Sequence, residues 1–355
     1  MTIARLVSER RETVPDPAVI IVSIWLHLRN VVSYRVVYAT PRPLEGRLLE
    51  LPMKLLLQLE EIVGPQPGPH LLITGGVHGD EFEPMAAIRR LAPVLRERLL
   101  KGRVTLVPVV NEPAFRRGQR TAEDGLDLAR TCPGRADGSV TEQIAHALSQ
   151  LIETADYFID LHTGGTRLRV LPLAGYMLHP DGRVLSAQRR MARVFGLPIV
   201  WGTDPSLNGR SLSVARDANV PAIYAEYQGG GGCDPEGIQA YVRGCLNVLT
   251  NLEMIEGKIA EGGGEPLIVE DARPGSGHMQ VNHPAPYEGF FEPAVILGQY
   301  LEKGDLIGTV SDPLGRQTES ICAAHSGIIL VLHTFARVAA GDSLAVILET
   351  PQQPT

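Results

Sequence analysis

Between residues 71 and 256 short apolar runs alternate with amphipathic stretches of about a dozen residues, and this alternation most narrows the folds open to the chain. The runs at 71–74, 104–110, 157–161 and 222–225 read as buried strands. Those at 83–100, 141–153, 183–195 and 236–256 read as helices; in the first, Met85, Ile88, Leu91 and Leu95 form one stripe. Strands feeding helices in this order make an α/β layer on a mostly parallel sheet. Residues 18–63 read as further strands, with turns at Pro41 to Pro43 and Gly46, and 65–69 as a Pro-rich loop. The glycine-rich stretch 257–266 reads as a linker. Beyond it, short strands and Gly turns without a convincing helix fill residues 267–350. The expected organisation is an α/β domain over 1–260, including the N-terminal β segment, and a small all-β domain over 267–355.

The 355 residues suit about two domains and a large core. The four cysteines lie far apart without a C-x-x-C pair, which excludes a disulfide scaffold and a zinc ribbon and fits a reducing compartment. The net charge of −7 makes nucleic acid an unfavourable partner. From Glu265 onward four basic residues face eleven acidic ones, so this region carries the imbalance. The apolar run 18–26 is too short to span a bilayer and no A-x-A-like site follows it. It reads as a buried strand rather than a targeting segment, and the expected location is cytoplasmic, without membrane attachment.

Two segments after the linker echo each other, 301–310 and 335–347, each a strand, a Gly-Asp turn and another strand. They resemble the barrel-sandwich fold of lipoyl and biotinyl carrier domains. A carrier needs a modifiable lysine on an exposed hairpin, and the one lysine after Lys258 is Lys303, inside a Gly-Asp turn segment. The unit therefore reads as structural. An acidic barrel-like unit suits assembly into a homo-oligomer as well as gating, and the sequence leaves these open.

The stretch Gly75-Gly76-Val77-His78-Gly79-Asp80-Glu81 follows a strand and precedes a helix. Imidazole and carboxylate on one tight turn suit Zn²⁺, which in hydrolases takes three protein ligands and leaves a position open. His162 lies just past the strand 157–161, as His78 lies past 71–74, and sites in parallel sheets form at these carboxyl ends. Order and spacing here resemble the succinylglutamate desuccinylase/aspartoacylase family of zinc carboxypeptidase-like hydrolases. The matching pieces are Gly75 to Glu81, Asn111 to Phe115, Arg120, Asp124 to Arg130 with Pro133-Gly134, Asp160-Leu161-His162 and Ala225-Glu226.

The resemblance implies a mixed sheet and one zinc ion per chain held by His78, Glu81 and His162. It implies Glu226 as general base and acid, and Arg120 as the group that polarises the scissile carbonyl. Arg130 corresponds to the arginine that binds a substrate carboxylate, Arg210 to a further substrate contact, and Asp127 to the carboxylate that orients His78. Arg116 and Arg117 read as solvated surface charge. One position departs from the family: Ala129 stands where it usually has an asparagine that helps hold the substrate carboxylate, so substrate recognition is expected to differ. The expected function is hydrolysis of the amide bond of a small N-acylated amino acid or related amine. The rivals are a carboxypeptidase acting on peptides, which a wide-open cleft would favour, and a non-catalytic binding protein that keeps the fold.

Overall fold

Residues 7–12, 19–28, 32–41, 54–260 and 264–350 are described by the computed structural model, with side chains from residue 57 on. The N-terminal strands are β1 (Val7–Glu12), β2 (Val19–Leu28), β3 (Val32–Pro41) and β4 (Lys54–Val63). The apolar run 18–26 coincides with β2, while its burial and the turns expected at 41–46 lie outside what is described. Next come β5 (Gln66–Thr74), α1 (Phe82–Arg98), β6 (Lys101–Val107), α2 (Glu112–Arg117), a 3-10 turn at Leu128–Arg130 and α3 (Val140–Glu153). Then follow β7 (Tyr157–His162), β8 (Leu168–Met177), α4 (Gly182–Phe195), β9 (Ile199–Thr203), α5 (Ser211–Asp217), β10 (Ala222–Gly229) and α6 (Pro235–Asn251). The segment beyond holds β11 (Leu267–Glu270), β12 (Gly289–Pro293), β13 (Tyr300–Leu301), β14 (Leu306–Ser311), β15 (Thr318–Cys322), β16 (Gly327–His333), β17 (Arg337–Val338) and β18 (Ala345–Leu348).

The loop expected at 65–69 is instead the start of β5. Its pairing with β6 is irregular between Gln66 and His70, the stretch that holds Pro67 and Pro69, which have no backbone donor to give a ladder. Gly68 accommodates the close approach: a Cβ there would lie 2.8 Å from the Gly102 nitrogen.

The main sheet runs β1-β2-β3-β4-β6-β5-β7-β10-β8-β16-β13, with β9 beside β8, β11 beside β9 and β18 beside β16. β6, β5, β7 and β10 are mutually parallel, whereas β4 and β8 pair antiparallel with their neighbours in this core. The sheet is therefore mixed. Alternation divides its residues between two cores. Leu71 and Ile73 pack with Ile88 and Leu91 of α1 and with Tyr241 and Val248 of α6. Leu72 and Phe158 pack on the opposite face with Ile144 and Leu148 of α3 and Ala215 of α5. On this second face the strands turn polar toward their carboxyl ends: Leu72 gives way to Thr74, Phe158 to Asp160 and His162, Ala222 to Tyr224 and Glu226. That change of chemistry marks the site.

A second sheet, ordered β15-β14-β12-β17, faces β16 and β18 across a core containing Phe291, Val310, Ile329 and Leu332. The echoed segments share a turn: Asp305 accepts from the Glu302 N–H at 2.9 Å and Asp342 from the Ala339 N–H at 2.8 Å. The expected division at 257–266 is not a break in the sheet. β11 pairs parallel with β9, and Val331 and Leu332 of β16 pair with Val170 and Arg169 of β8.

Candidate metal centre and active site

The turn after β5 presses on α2, and this proximity requires glycine at 79, where a Cβ would lie 2.0 Å from the Ala114 carbonyl carbon. Tight packing there brings His78 and Glu81 together at the amino end of α1. His162 ends β7, in parallel register with Glu226 of β10. One atom each from His78, Glu81 and His162 lies within 4.8 Å of the others, and all three residues are buried.

The two imidazoles are arranged alike. His78 Nδ1 lies 2.6 Å from Glu81 Oε1, and His162 Nδ1 lies 3.1 Å from Glu81 Oε2. Each Nε2 sits on an outer carboxylate, Asp127 at 3.1 Å for His78 and Asp160 at 3.0 Å for His162. Protons held on Nε2 leave both Nδ1 lone pairs aimed at one point beside the Glu81 carboxylate. Two imidazoles and a carboxylate so converged fit a zinc ion.

Asp127 was expected beside His78, and it also holds Arg120: Oδ2 accepts from Nη2 at 2.9 Å and Nε at 3.2 Å. Its pKa lies well below the ordinary carboxylate value, because the bonds from His78 and Arg120 outweigh burial. Asp160, which lies in a matching motif but carries no role expected from the sequence, joins this cluster through His162. It is buried and accepts from Thr74 Oγ1 at 2.7 Å and from Ser211 Oγ as well as meeting His162. The signal for it was present, since residues two apart on a strand share a face.

Glu226 is 6% exposed and its Oε2 has no hydrogen-bond partner. Burial pushes its pKa up to about 7; the nearby His162 opposes that rise and Glu81 adds to it. The Tyr241 hydroxyl donates to the His162 carbonyl and supports the strand end. These groups open into a cavity of about 100 Å³ that also holds Arg120, Arg130 and Arg210. That is well below the ~300–1,000 Å³ of sites for drug-sized ligands. Its outer wall comes from beyond residue 267, through Gly277, Met279, Gln280 and Val331. Arg210 Nη1 donates to the Gly277 carbonyl at 3.4 Å and Arg130 Nη2 to Gln280 Oε1 at 3.3 Å. Arg116 pairs with Glu112 and Arg117 with Gln119 on the exposed surface, away from these groups. No helix among the described residues is long and apolar enough to cross a membrane.

A model of the succinylglutamate desuccinylase/aspartoacylase catalytic domain matches residues 67–252, more than half the chain. The chain is 34% identical over 289 residues to an N-alpha-acetyl-L-2,4-diaminobutyric acid deacetylase of Halomonas elongata, covering 79% of this chain and 82% of that one. Among solved structures it is similar to a succinylglutamate desuccinylase/aspartoacylase from Rhodobacter sphaeroides, with a TM-score of 0.78 and 26% identity over 92% of this chain and 97% of the other. It is also similar to the product-bound ectoine utilization protein EutE (DoeB) from Ruegeria pomeroyi, with a TM-score of 0.76 and 25% identity over 97% and 98%. With the mixed sheet and the clustered histidines and glutamate, these matches show that the chain belongs to the succinylglutamate desuccinylase/aspartoacylase family of amide hydrolases.

Proposed function

We propose that the protein is a zinc-dependent deacylase that hydrolyses the amide bond of a small N-acylated amino acid. His78, Glu81 and His162 would hold one zinc ion per chain, with Asp127 and Asp160 fixing the two rings. When bound, zinc lowers the pKa of water and polarises the scissile carbonyl. Glu226 takes a proton from the attacking water and returns it to the leaving nitrogen. Arg120, clamped by Asp127, lines the cavity as a fixed positive charge for the developing oxyanion. Arg130 and Arg210 supply charge for the substrate's carboxylate. The observation that carries this reading is the partnerless, buried Oε2 of Glu226 beside the three converging ligands.

The cavity's size and its wall from beyond residue 267 support a small substrate over a peptide. The Halomonas elongata relative is named for an N-acetylated diamino acid, so N-acetyl amino acids are the class to test first. In this reading residues 1–260 form the catalytic unit and 267–355 a barrel-sandwich-like unit that walls the site. Glu226→Ala should keep its zinc and lose at least ~10²-fold in kcat. Zinc content and turnover measured on the same purified variant test this, and an undiminished rate would remove Glu226 from its role.

A further inference from the structure

Ala129 lines the cavity where the family resemblance leads one to expect an amide side chain. Its backbone N–H is committed to Asp127 Oδ1 at 2.9 Å, and its methyl group offers no hydrogen bond. A carboxylate held only by a guanidinium fork keeps acceptor capacity that a second donor could use.

The structure brings such a donor from a distant part of the chain. Gln280 lies between β11 and β12, on the cavity wall with Ala129 and Arg130. Its Oε1 accepts from Arg130 Nη2 at 3.3 Å. The amide nitrogen at the other branch has no protein partner among the described residues, so both of its protons are available.

The backbone that carries Gln280 is fixed on both sides. Asp204 Oδ2 accepts from the Gly275 N–H at 2.7 Å, and Ser276 Oγ accepts from the Asp204 N–H at 2.7 Å. Ser343 Oγ lies 3.0 Å from the Met279 carbonyl and 2.9 Å from that of Asn282. Gly277, at φ +80°, sits where a Cβ would come within 2.8 Å of Thr203. Desolvation and the charge of Arg210 press the pKa of Arg130 down to about 10, a strain that an anion in the cavity relieves.

We propose that Gln280 is a substrate-binding residue that replaces the asparagine absent at 129, its amide N–H groups donating to the substrate carboxylate gripped by Arg130. This rests on the amide-hydrolase reading above. It makes the segment after β11 part of the recognition site as well as its wall.

The test is steady-state kinetics of the zinc-loaded protein on Nα-acetyl-L-2,4-diaminobutyrate and on the matching carboxamide. Gln280→Ala should raise KM for the carboxylate substrate about tenfold and leave kcat within about twofold, as expected for one hydrogen bond to a charged group. On the carboxamide its KM should move less than about twofold. Gln280→Glu, which keeps the size but opposes the carboxylate, should raise KM further. Adding Ala129→Asn to Gln280→Ala should restore most of the loss. An unchanged KM, or one raised equally for both substrates, overturns the proposal. If the wild type turns over neither compound, the hydrolase reading fails, and calorimetric binding of the acetylated amino acid decides the role of Gln280. A roughly tenfold weaker Kd in Gln280→Ala then sustains it; an equal Kd, or no binding by either protein, overturns it.

Discussion

Asp160 meets the ring of His162, one of the proposed zinc ligands, and its setting defines its test. It is buried, fully engaged by Thr74, Ser211 and His162, and touches no part of the cavity that a substrate could use. Outer carboxylates of this kind usually contribute 10–100-fold in metal affinity. Asp160→Ala should therefore weaken zinc binding by about that factor with His78, Glu81 and His162 intact, as read by competition with a chromophoric chelator. Unchanged affinity would make Asp160 a core polar residue only. At this scale the sequence was legible where ligands are neighbours, as with His78 and Glu81 on one turn. Asp127 was identified from its motif, whereas its sharing between His78 and Arg120 depends on chain folding over a separation of 49 residues.

The loop from Arg120 to Arg130 carries several site residues and has little regular structure, so what anchors it matters. Asp124 does so through the amino end of α3: its carboxylate accepts from Ser139 Oγ at 2.6 Å, Thr141 Oγ1 at 2.7 Å and the Thr141 N–H at 2.9 Å. Partial burial raises its pKa, but these bonds and one from the Leu126 N–H outweigh that and hold it down. Asp124→Ala should destabilise the protein by about 2 kcal/mol, the scale of a lost cap with further bonds. A chemical denaturation midpoint equal to that of the wild type would refute the anchoring. His70 makes a second prediction for an element, β5. Nδ1 meets the Thr154 carbonyl and Nε2 meets Thr105 Oγ1, both at 2.9 Å, a pattern that the neutral ring satisfies. Burial lowers its pKa; the nearby Arg103 adds to this, and the Thr154 bond and Asp156 oppose it. The unfolded chain then takes up a proton near pH 6.5 that the folded one refuses, so this contribution is complete above that pH and declines as pH falls below it. His70→Gln should flatten the decline between pH 6.5 and the lowered folded value, measured as denaturation midpoint against pH. An identical slope in the variant would mean that His70 titrates alike in both states.

At the scale of the molecule, composition and hydrogen bonding divide the chain differently. The helix-free segment after residue 266 looks like a separate unit in sequence, yet β11 extends the catalytic sheet and β16 pairs with β8. Val170, Leu173, Trp201, Leu330 and Val331 form one buried cluster across that line. Tyr176 Oη donates to Glu270 at 2.5 Å, and Arg189 grips the same carboxylate twice at 2.7 Å. A variant ending at residue 260 would expose the edges of β8 and β9 and half of this cluster, and such edges invite aggregation. It should be insoluble or molten, as judged by soluble yield and near-UV circular dichroism. A folded, active fragment would show that the two parts are independent.

The alternation of strands and helices, the helix stripes and the tight turn that carries His78 and Glu81 were determined by the sequence alone, because each depends on residues within a few positions of one another. The tertiary structure decided how the segments meet. It reversed β8 to make the sheet mixed, drew 66–70 into a strand, and joined the final quarter of the chain to the catalytic sheet. It also placed Gln280 against Arg130, 150 residues away in sequence. Such pairings are set by which edges and apolar faces find each other once the chain collapses, and periodicity within one segment carries no information about the partner it will meet.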